Sequence, residues 1–135
     1  MDITLTEHTI RIVVAELRDR ADSYNITPIR NQLYEIIAGG VSRIVIDLTN
    51  VTFMDSSCMA ILVSTLKRTR QAGGDVKLVW PQLENAQDII RLAKFDRVFE
   101  IFNTSGEAVE GFFSPSEVPF TDPFNIRRPP TQAKT

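Results

Sequence analysis

Cysteine and histidine are nearly missing from this sequence of 135 residues, which contains one of each, Cys58 and His8. A single cysteine cannot form a disulfide within the chain, and two potential ligands are too few for a zinc site. The glycine-rich phosphate loops G-x-x-x-x-G-K-[ST] and G-x-G-x-x-G do not occur either. The composition therefore predicts neither a metal nor a cofactor.

Long apolar runs are missing as well, because no stretch comes near the roughly 20 residues that a membrane-spanning helix needs. The N-terminal residues MDITLTEHTI do not show a basic segment followed by an apolar one, which is the pattern of an export signal. The net charge of −2 gives no general attraction to nucleic acids or to anionic lipid. We therefore expect a cytoplasmic protein without direct nucleic-acid or membrane partners.

The sequence does contain a regular alternation of strand-like and helix-like segments. The predicted segments are strands at 3–7, 9–15, 43–48, 76–80 and 98–102, and helices at 27–38, 57–72, 83–93 and 104–113. Strands that alternate with helices predict an α/β domain with crossover connections and a mostly parallel sheet of about five strands. The first two strands are predicted to form an antiparallel hairpin, which makes the sheet mixed.

Two boundaries depend on local composition. Residues 16–26 are polar and without a period, which predicts a loop, and Thr27 then caps the first helix with Pro28 at its first position. From Ser114 onward prolines accumulate and no strand or helix period remains. The predicted organisation is a domain at 1–113 followed by a proline-rich tail at 114–135.

A cluster of polar residues interrupts the apolar sequence between the strand at 43–48 and the helix at 57–72. Asp55, Ser56 and Ser57 stand there without a glycine or proline beside them. One such residue stabilises a helix start by about 1 kcal/mol as an N-cap, and local pattern alone favours that role for Asp55 or Ser56. A cap needs one residue, however, and this segment offers three at an exposed rim of the sheet.

The stretch IVIDLTNVTFMDSSCMAILVSTLKRTRQAGGDVKLV, together with the later LAKFDRVFEIF, resembles the STAS domain family, and in particular the bacterial anti-sigma factor antagonists. The resemblance covers about 3–113 and is most specific in the segment DSS. It implies an α/β fold with a mixed, mostly parallel sheet of about five strands and about four helices, which lie mainly on one face.

The resemblance also implies a function without catalysis, in which this protein releases a sigma factor by binding an anti-sigma factor. That partner is a serine kinase, which would phosphorylate Ser56, and a serine phosphatase would reverse the reaction. A helical wheel with Met59, Leu62, Val63 and Leu66 turned inward leaves another face for the partner. The predicted partner-binding residues are Asp55, Ser56, Ser57, Cys58, Ile61 and Thr65. Packing of Cys58 and Ile61 under a neighbouring helix or under the tail is a nearly equal alternative.

Other functions remain open. A STAS module could instead sense a nucleotide or lipid at the rim of 16–26 and 55–57, or serve as a scaffold or a transporter-associated domain. An enzyme with Ser56 as nucleophile is the weakest alternative, because no base is evident in the sequence. The sequence departs from the family pattern at Cys58 and Lys94, where glycine is usual. The acidic residue of the family's GELD stretch corresponds here to Asp19 or Asp22.

Overall fold

The structure is a computed structural model, and it describes residues 2–7 and 9–113. In chain order the elements are β1 (Ile12–Ala21), α1 (Ile26–Ala38), β2 (Arg43–Met54), α2 (Ser56–Gln71), β3 (Asp75–Val79), α3 (Glu84–Leu92), a 3-10 turn (Phe95–Arg97), β4 (Glu100–Phe102) and α4 (Ser105–Glu110). The predicted tail at 114–135 lies outside the described residues.

The four strands form one sheet in the order β1-β2-β3-β4, and each neighbouring pair is parallel. A helix lies between successive strands, so the chain returns to the same end of the sheet before each new strand begins. The predicted α/β class and the mostly parallel sheet are therefore confirmed, although the described residues contain one strand fewer than predicted.

The missing strand belongs to the N-terminal hairpin, and that prediction is wrong for the described residues. Ile3 and Leu5 alternate with threonines, but they are in no strand and remain 73% and 89% exposed. The predicted second strand is in fact β1, which begins at Ile12 and continues through Ala21. The loop predicted at 16–26 is therefore confined to 22–25. Polar residues are tolerated in this part of β1 because it is an edge strand with an exposed face.

Side chains of the sheet alternate between two faces of unequal size. Ile44, Ile46 and Leu78 belong to the large core, which also contains buried residues of α1, α2 and α3. Val45 and Val79 point the opposite way and pack with Ala108 of α4 in a smaller cluster. The helices thus lie mainly on one face, as predicted, and α4 lies on the other.

Two glycines end α2, as the sequence predicts. Gly73 has φ +84°, a conformation that costs other residues strain, and its neighbour Gly74 lies against the backbone of Ser42. A Cβ on Gly74 would be 1.6 Å from the Ser42 carbonyl oxygen. The start of α1 differs from the prediction: Asn25 is the N-cap residue and the helix begins at Ile26, ahead of Thr27.

Candidate functional site

The site lies where β1 and β2 end, at the carboxyl edge of the parallel sheet. Ala21 and Met54 are register partners and the last residues of their strands. The loop 22–25 after β1 therefore lies beside Asp55, which joins β2 to α2. This proximity follows from parallel pairing, since parallel strands end at the same edge of the sheet and the residues that follow them lie there.

The Asp55 carboxylate connects the two segments. Its Oδ1 accepts hydrogen bonds from the backbone N–H groups of Ser57 at 2.9 Å and Cys58 at 3.3 Å, which makes Asp55 the N-cap of α2. Its Oδ2 accepts from the N–H of Ser23 at 3.0 Å. The sequence left the cap open between Asp55 and Ser56, and the structure assigns it to Asp55.

Ser56 is the first residue of α2 and its side chain is exposed. Because Asp55 serves as the cap, the Ser56 hydroxyl is not needed to satisfy the helix start. Among the described residues it makes no hydrogen bond. Ser57, its neighbour, is half-buried. Of the two serines in the motif, Ser56 therefore presents the more accessible hydroxyl.

The loop 22–25 is held by bonds within itself and to β1. Asp22 is 3% exposed, and its carboxylate accepts from Arg20 Nε at 2.8 Å and from the Tyr24 N–H at 3.0 Å. The Asn25 side chain accepts from the Asp22 N–H at 2.9 Å, and the Asn25 N–H donates to the Asp22 carbonyl. Tyr24 belongs to this hydrogen-bonded loop and is 94% exposed.

The predicted exposed face of α2 is wrong for two of its residues. Cys58 and Thr65 have no exposed surface, and Ile61 is half-buried and packs against the core. Thr65 is tolerated there because its hydroxyl donates to the Ile61 carbonyl at 2.7 Å. Met59 and Val63, predicted to face inward, lie only partly buried at the edge of the core. The helix is therefore rotated relative to the predicted wheel.

An open groove follows the outer side of α2, beginning at Ser56. The volume of this groove is about 780 Å³. Its lining consists of Ser56, Met59, Ala60, Val63, Ser64, Lys67, Arg68, Gln71 and Phe95. Apolar side chains lie near Ser56 and basic ones lie toward the other end of the helix. This groove was not predicted, because the helical wheel placed Met59 and Val63 in the core.

Cys58 lies beneath the same helix start, and its environment opposes thiolate formation. Burial, and to a lesser extent the nearby Asp55 carboxylate, raise the pKa of the thiol from 9.0 to about 12. The thiol therefore stays protonated near neutral pH, and a helix N-terminus does not make it reactive here. Cys58 is a core residue, as one of the two predicted alternatives stated.

Lys94, the other position where the family usually has glycine, has φ +59° and ψ +30°. Lysine in this left-handed conformation costs about 1 kcal/mol relative to glycine. Lys94 thus adopts a left-handed turn that glycine would take more readily. Of the two candidates for the family's acidic residue, Asp22 lies in the loop beside Asp55, while Asp19 lies in β1 with φ +60°.

Among the described residues, no group of three or more His, Cys, Asp or Glu side chains is placed to hold a metal ion. Within residues 2–7 and 9–113, no helix has the length and apolar character needed to cross a bilayer.

The STAS domain family model matches residues 4–108, and the chain belongs to this family. A candidate anti-sigma factor antagonist of Thermotoga maritima is 32% identical over 76 residues, which are 56% of this chain and 66% of that relative. The match thus spans a little less than two thirds of the relative.

Solved structures show the same fold. A candidate anti-sigma factor antagonist from Thermotoga maritima has a TM-score of 0.72 at 24% identity, covering 78% of this chain and 92% of that one. The anti-sigma factor antagonist SpoIIAA in its unphosphorylated form has a TM-score of 0.66 at 20% identity, covering 79% and 93%. The phosphorylated form of SpoIIAA, described as a Bacillus cell fate determinant, has a TM-score of 0.61 at 20% identity, covering 81% and 97%.

Proposed function

We propose that this protein is an anti-sigma factor antagonist that binds an anti-sigma factor while Ser56 is unphosphorylated and so releases a sigma factor. The partner is a serine kinase that phosphorylates Ser56, and a serine phosphatase restores the binding form. The protein itself catalyses no reaction. The observation that carries the proposal is the exposed Ser56 hydroxyl at the start of α2, beside the Asp55 cap.

Relatives support the same role. The Thermotoga maritima relative is named as a candidate anti-sigma factor antagonist, and SpoIIAA has been solved in phosphorylated and unphosphorylated forms. Both forms of SpoIIAA are similar to this chain in fold. A STAS domain of this kind therefore carries phosphate without losing its architecture, which is what a switch of association requires.

The charge of a phosphate explains how the switch would work. Phosphorylation adds about −1.5 to −2 charge units at Ser56. In the free protein this charge stays in water, where repulsion from a carboxylate at about 4 Å costs only about 1 kcal/mol. At an interface the charge loses its hydration, which costs several kcal/mol when no partner compensates it (about 3 kcal/mol weakens binding roughly a hundredfold).

The docking surface that we propose combines Ser56 with the groove of α2. Met59, Ala60 and Val63 supply apolar contact next to the phosphoacceptor, and Arg68 supplies positive charge farther along. Arg68 is positioned by stacking on Tyr34, with 4.0 Å between its guanidinium carbon and the ring centroid. Cys58 and Thr65 contribute only as core residues, because neither has a surface that a partner could touch.

The test is phosphorylation by the candidate anti-sigma factor kinases of the source organism, each purified and supplied with ATP. We expect one phosphate per chain, mapped to Ser56 by mass spectrometry, and none on the Ser56→Ala variant. Ser57→Ala is the matched control and should still accept phosphate. Phosphate that persists elsewhere in Ser56→Ala, or the failure of every such kinase to bind the unmodified chain, would contradict the proposal.

A further inference from the structure

We propose that Tyr24 is a binding anchor for the kinase partner and that Asp55 positions it. This inference rests on the proposed function, but it concerns a different segment from the serine motif. It assigns the second edge of the interface to the loop 22–25, which follows β1 and is bonded to Asp55. The partner would contribute a pocket with apolar walls that takes the tyrosine ring.

The exposure of Tyr24 is the first observation. A tyrosine that is 94% exposed has nearly its whole ring in water, where it contributes nothing to the fold. Tyrosine is also among the residues that most often supply binding energy at protein interfaces, since it buries a large rigid surface at a low cost in conformational entropy. Among the exposed large apolar side chains of the described residues, Tyr24 has the greatest exposure.

The hydrogen bonding of the loop is the second observation. Tyr24 is not on a free tip, because its N–H donates to Asp22 Oδ1 at 3.0 Å. Asp22 is itself almost fully buried and bonded to Arg20, whose guanidinium carbon lies 4.4 Å from the centroid of the Phe53 ring. The backbone that carries the ring is therefore ordered before binding, which reduces the entropy lost on association.

The bond from Ser23 to Asp55 is the third observation, and it places the loop beside Ser56. The residue before Tyr24 is joined by 3.0 Å to the carboxylate that immediately precedes Ser56. A partner that covers the Ser56 hydroxyl therefore also meets the loop that carries Tyr24. One carboxylate both caps α2 and fixes the loop, so the position of Tyr24 relative to Ser56 depends on Asp55.

Asp55→Asn separates the two roles of this carboxylate. Asparagine is as good an N-cap as aspartate, and its carbonyl oxygen can accept from Ser57 and Cys58. The remaining group is then an NH₂, which only donates and cannot accept from the Ser23 N–H. The variant thus retains the helix cap and loses the bond that holds the loop.

The experiment measures the dissociation constant and the phosphorylation kinetics of the full chain with the kinase that phosphorylates Ser56. We expect Tyr24→Ala to weaken binding about tenfold or more, the size typical of an interface anchor, and Tyr24→Phe to restore most of the affinity. The KM for phosphorylation should rise while kcat stays unchanged, because the ring does not touch the reacting atoms. Phe113→Ala, which alters an exposed aromatic residue beyond α4, is the control and should bind as the unmodified chain does.

Asp55→Asn should weaken binding, lower the thermal midpoint by no more than a few degrees and speed hydrogen exchange at the Ser23 amide. Affinity of Tyr24→Ala equal to that of Phe113→Ala would overturn the inference and leave the proposed function intact. Normal affinity of Asp55→Asn despite faster exchange at Ser23 would remove the positioning role. Failure of the unmodified chain to bind or accept phosphate from any such kinase would overturn both proposals.

Discussion

At the scale of single residues, Cys58 shows how a position can resemble a functional one and serve the core. It occupies the third position of α2, near a helix start, where thiols are often activated. Its side chain is nevertheless fully buried next to the Asp55 carboxylate, and both conditions stabilise the neutral form. Burial therefore outweighs the favourable helix dipole at this residue.

The raised pKa of Cys58 predicts a loss of stability in alkaline solution. The folded thiol keeps its proton up to about pH 12, whereas the unfolded thiol releases it near 9.0. Between these values the unfolded state binds fewer protons, so the free energy of unfolding falls as pH rises, by about 1.4 kcal/mol per pH unit. Below the unfolded pKa the contribution is complete and does not change with pH.

Urea unfolding of the unmodified chain and of Cys58→Ala at pH 7.5 and pH 10 measures this contribution. Other groups also titrate in this range, but they do so in both proteins, so the difference between the two isolates Cys58. We expect the unmodified chain to lose about 1 kcal/mol more than the variant between the two values. An equal loss in both proteins would show that the thiol is not protected. Rapid alkylation of the native thiol at pH 8 would lead to the same conclusion.

At the scale of elements, the predictions succeeded where one apolar period decides the outcome. Arg43–Leu48 contains three consecutive β-branched residues, and β2 does lie inside the sheet. The α2 wheel failed because only aliphatic residues were considered for the core. Thr65 and Thr69 are also buried, and their burial is tolerated because their hydroxyls donate to the Ile61 and Leu66 carbonyls. A threonine that satisfies its own hydroxyl in this way cannot be distinguished from an exposed one by its sequence.

β1 was predicted too short for a related reason. Near its end, Arg18 to Arg20 are charged and exposed, and the register with β2 shifts between Glu16 and Arg18 and again between Asp19 and Arg20. Side chains of an edge strand do not need to be apolar, so no alternation is visible there. The hydrogen bond between Ser23 and Asp55 could not be predicted either, because these residues are distant in sequence and come close only when β1 and β2 pair.

The pairing of β3 with β4 contains a buried charge pair that supports another prediction. Lys77 Nζ bonds Glu100 Oε1, both side chains are 4% exposed, and the ammonium lies 4.7 Å from the centroid of the Phe112 ring. Removal of one charge leaves the other buried without this partner, and we expect Lys77→Met to cost about 3–5 kcal/mol. The double variant Lys77→Met/Glu100→Met should regain most of that loss, because no buried charge then remains from the pair.

Urea unfolding of the two single variants and the double variant gives the coupling energy directly. Arg91→Met is the control, since Arg91 pairs with Asp88 while both side chains are more than half exposed. Such a surface pair contributes about 0–1 kcal/mol. If Lys77→Met costs no more than this control, the pair on the second face of the sheet makes no large contribution to stability.

At the scale of the whole molecule, the site and the structural core meet at α2 but depend on different sides of it. The inward side holds Leu62, Thr65 and Leu66 in the large core, and the outward side forms the groove that begins at Ser56. A change at Ser56 therefore alters a surface and leaves the core contacts in place. Association and folding should consequently respond to the same substitution to very different degrees.

Ser56→Asp tests this separation, since it places a permanent negative charge at the phosphoacceptor. The charge is favoured by the N-terminus of α2 and opposed by Asp55, and each effect is worth about 1 kcal/mol or less in water. We expect the free energy of unfolding to change by less than about 1 kcal/mol, which moves the thermal midpoint by no more than a few degrees. Affinity for the kinase should fall by about a hundredfold, because the same charge is desolvated in the complex.

Ser57→Asp places the charge one residue further into α2, where the side chain is half-buried, and it should reduce stability more than Ser56→Asp does. If Ser56→Asp instead unfolds the domain, or binds as tightly as the unmodified chain, the charge at Ser56 does not act through the interface.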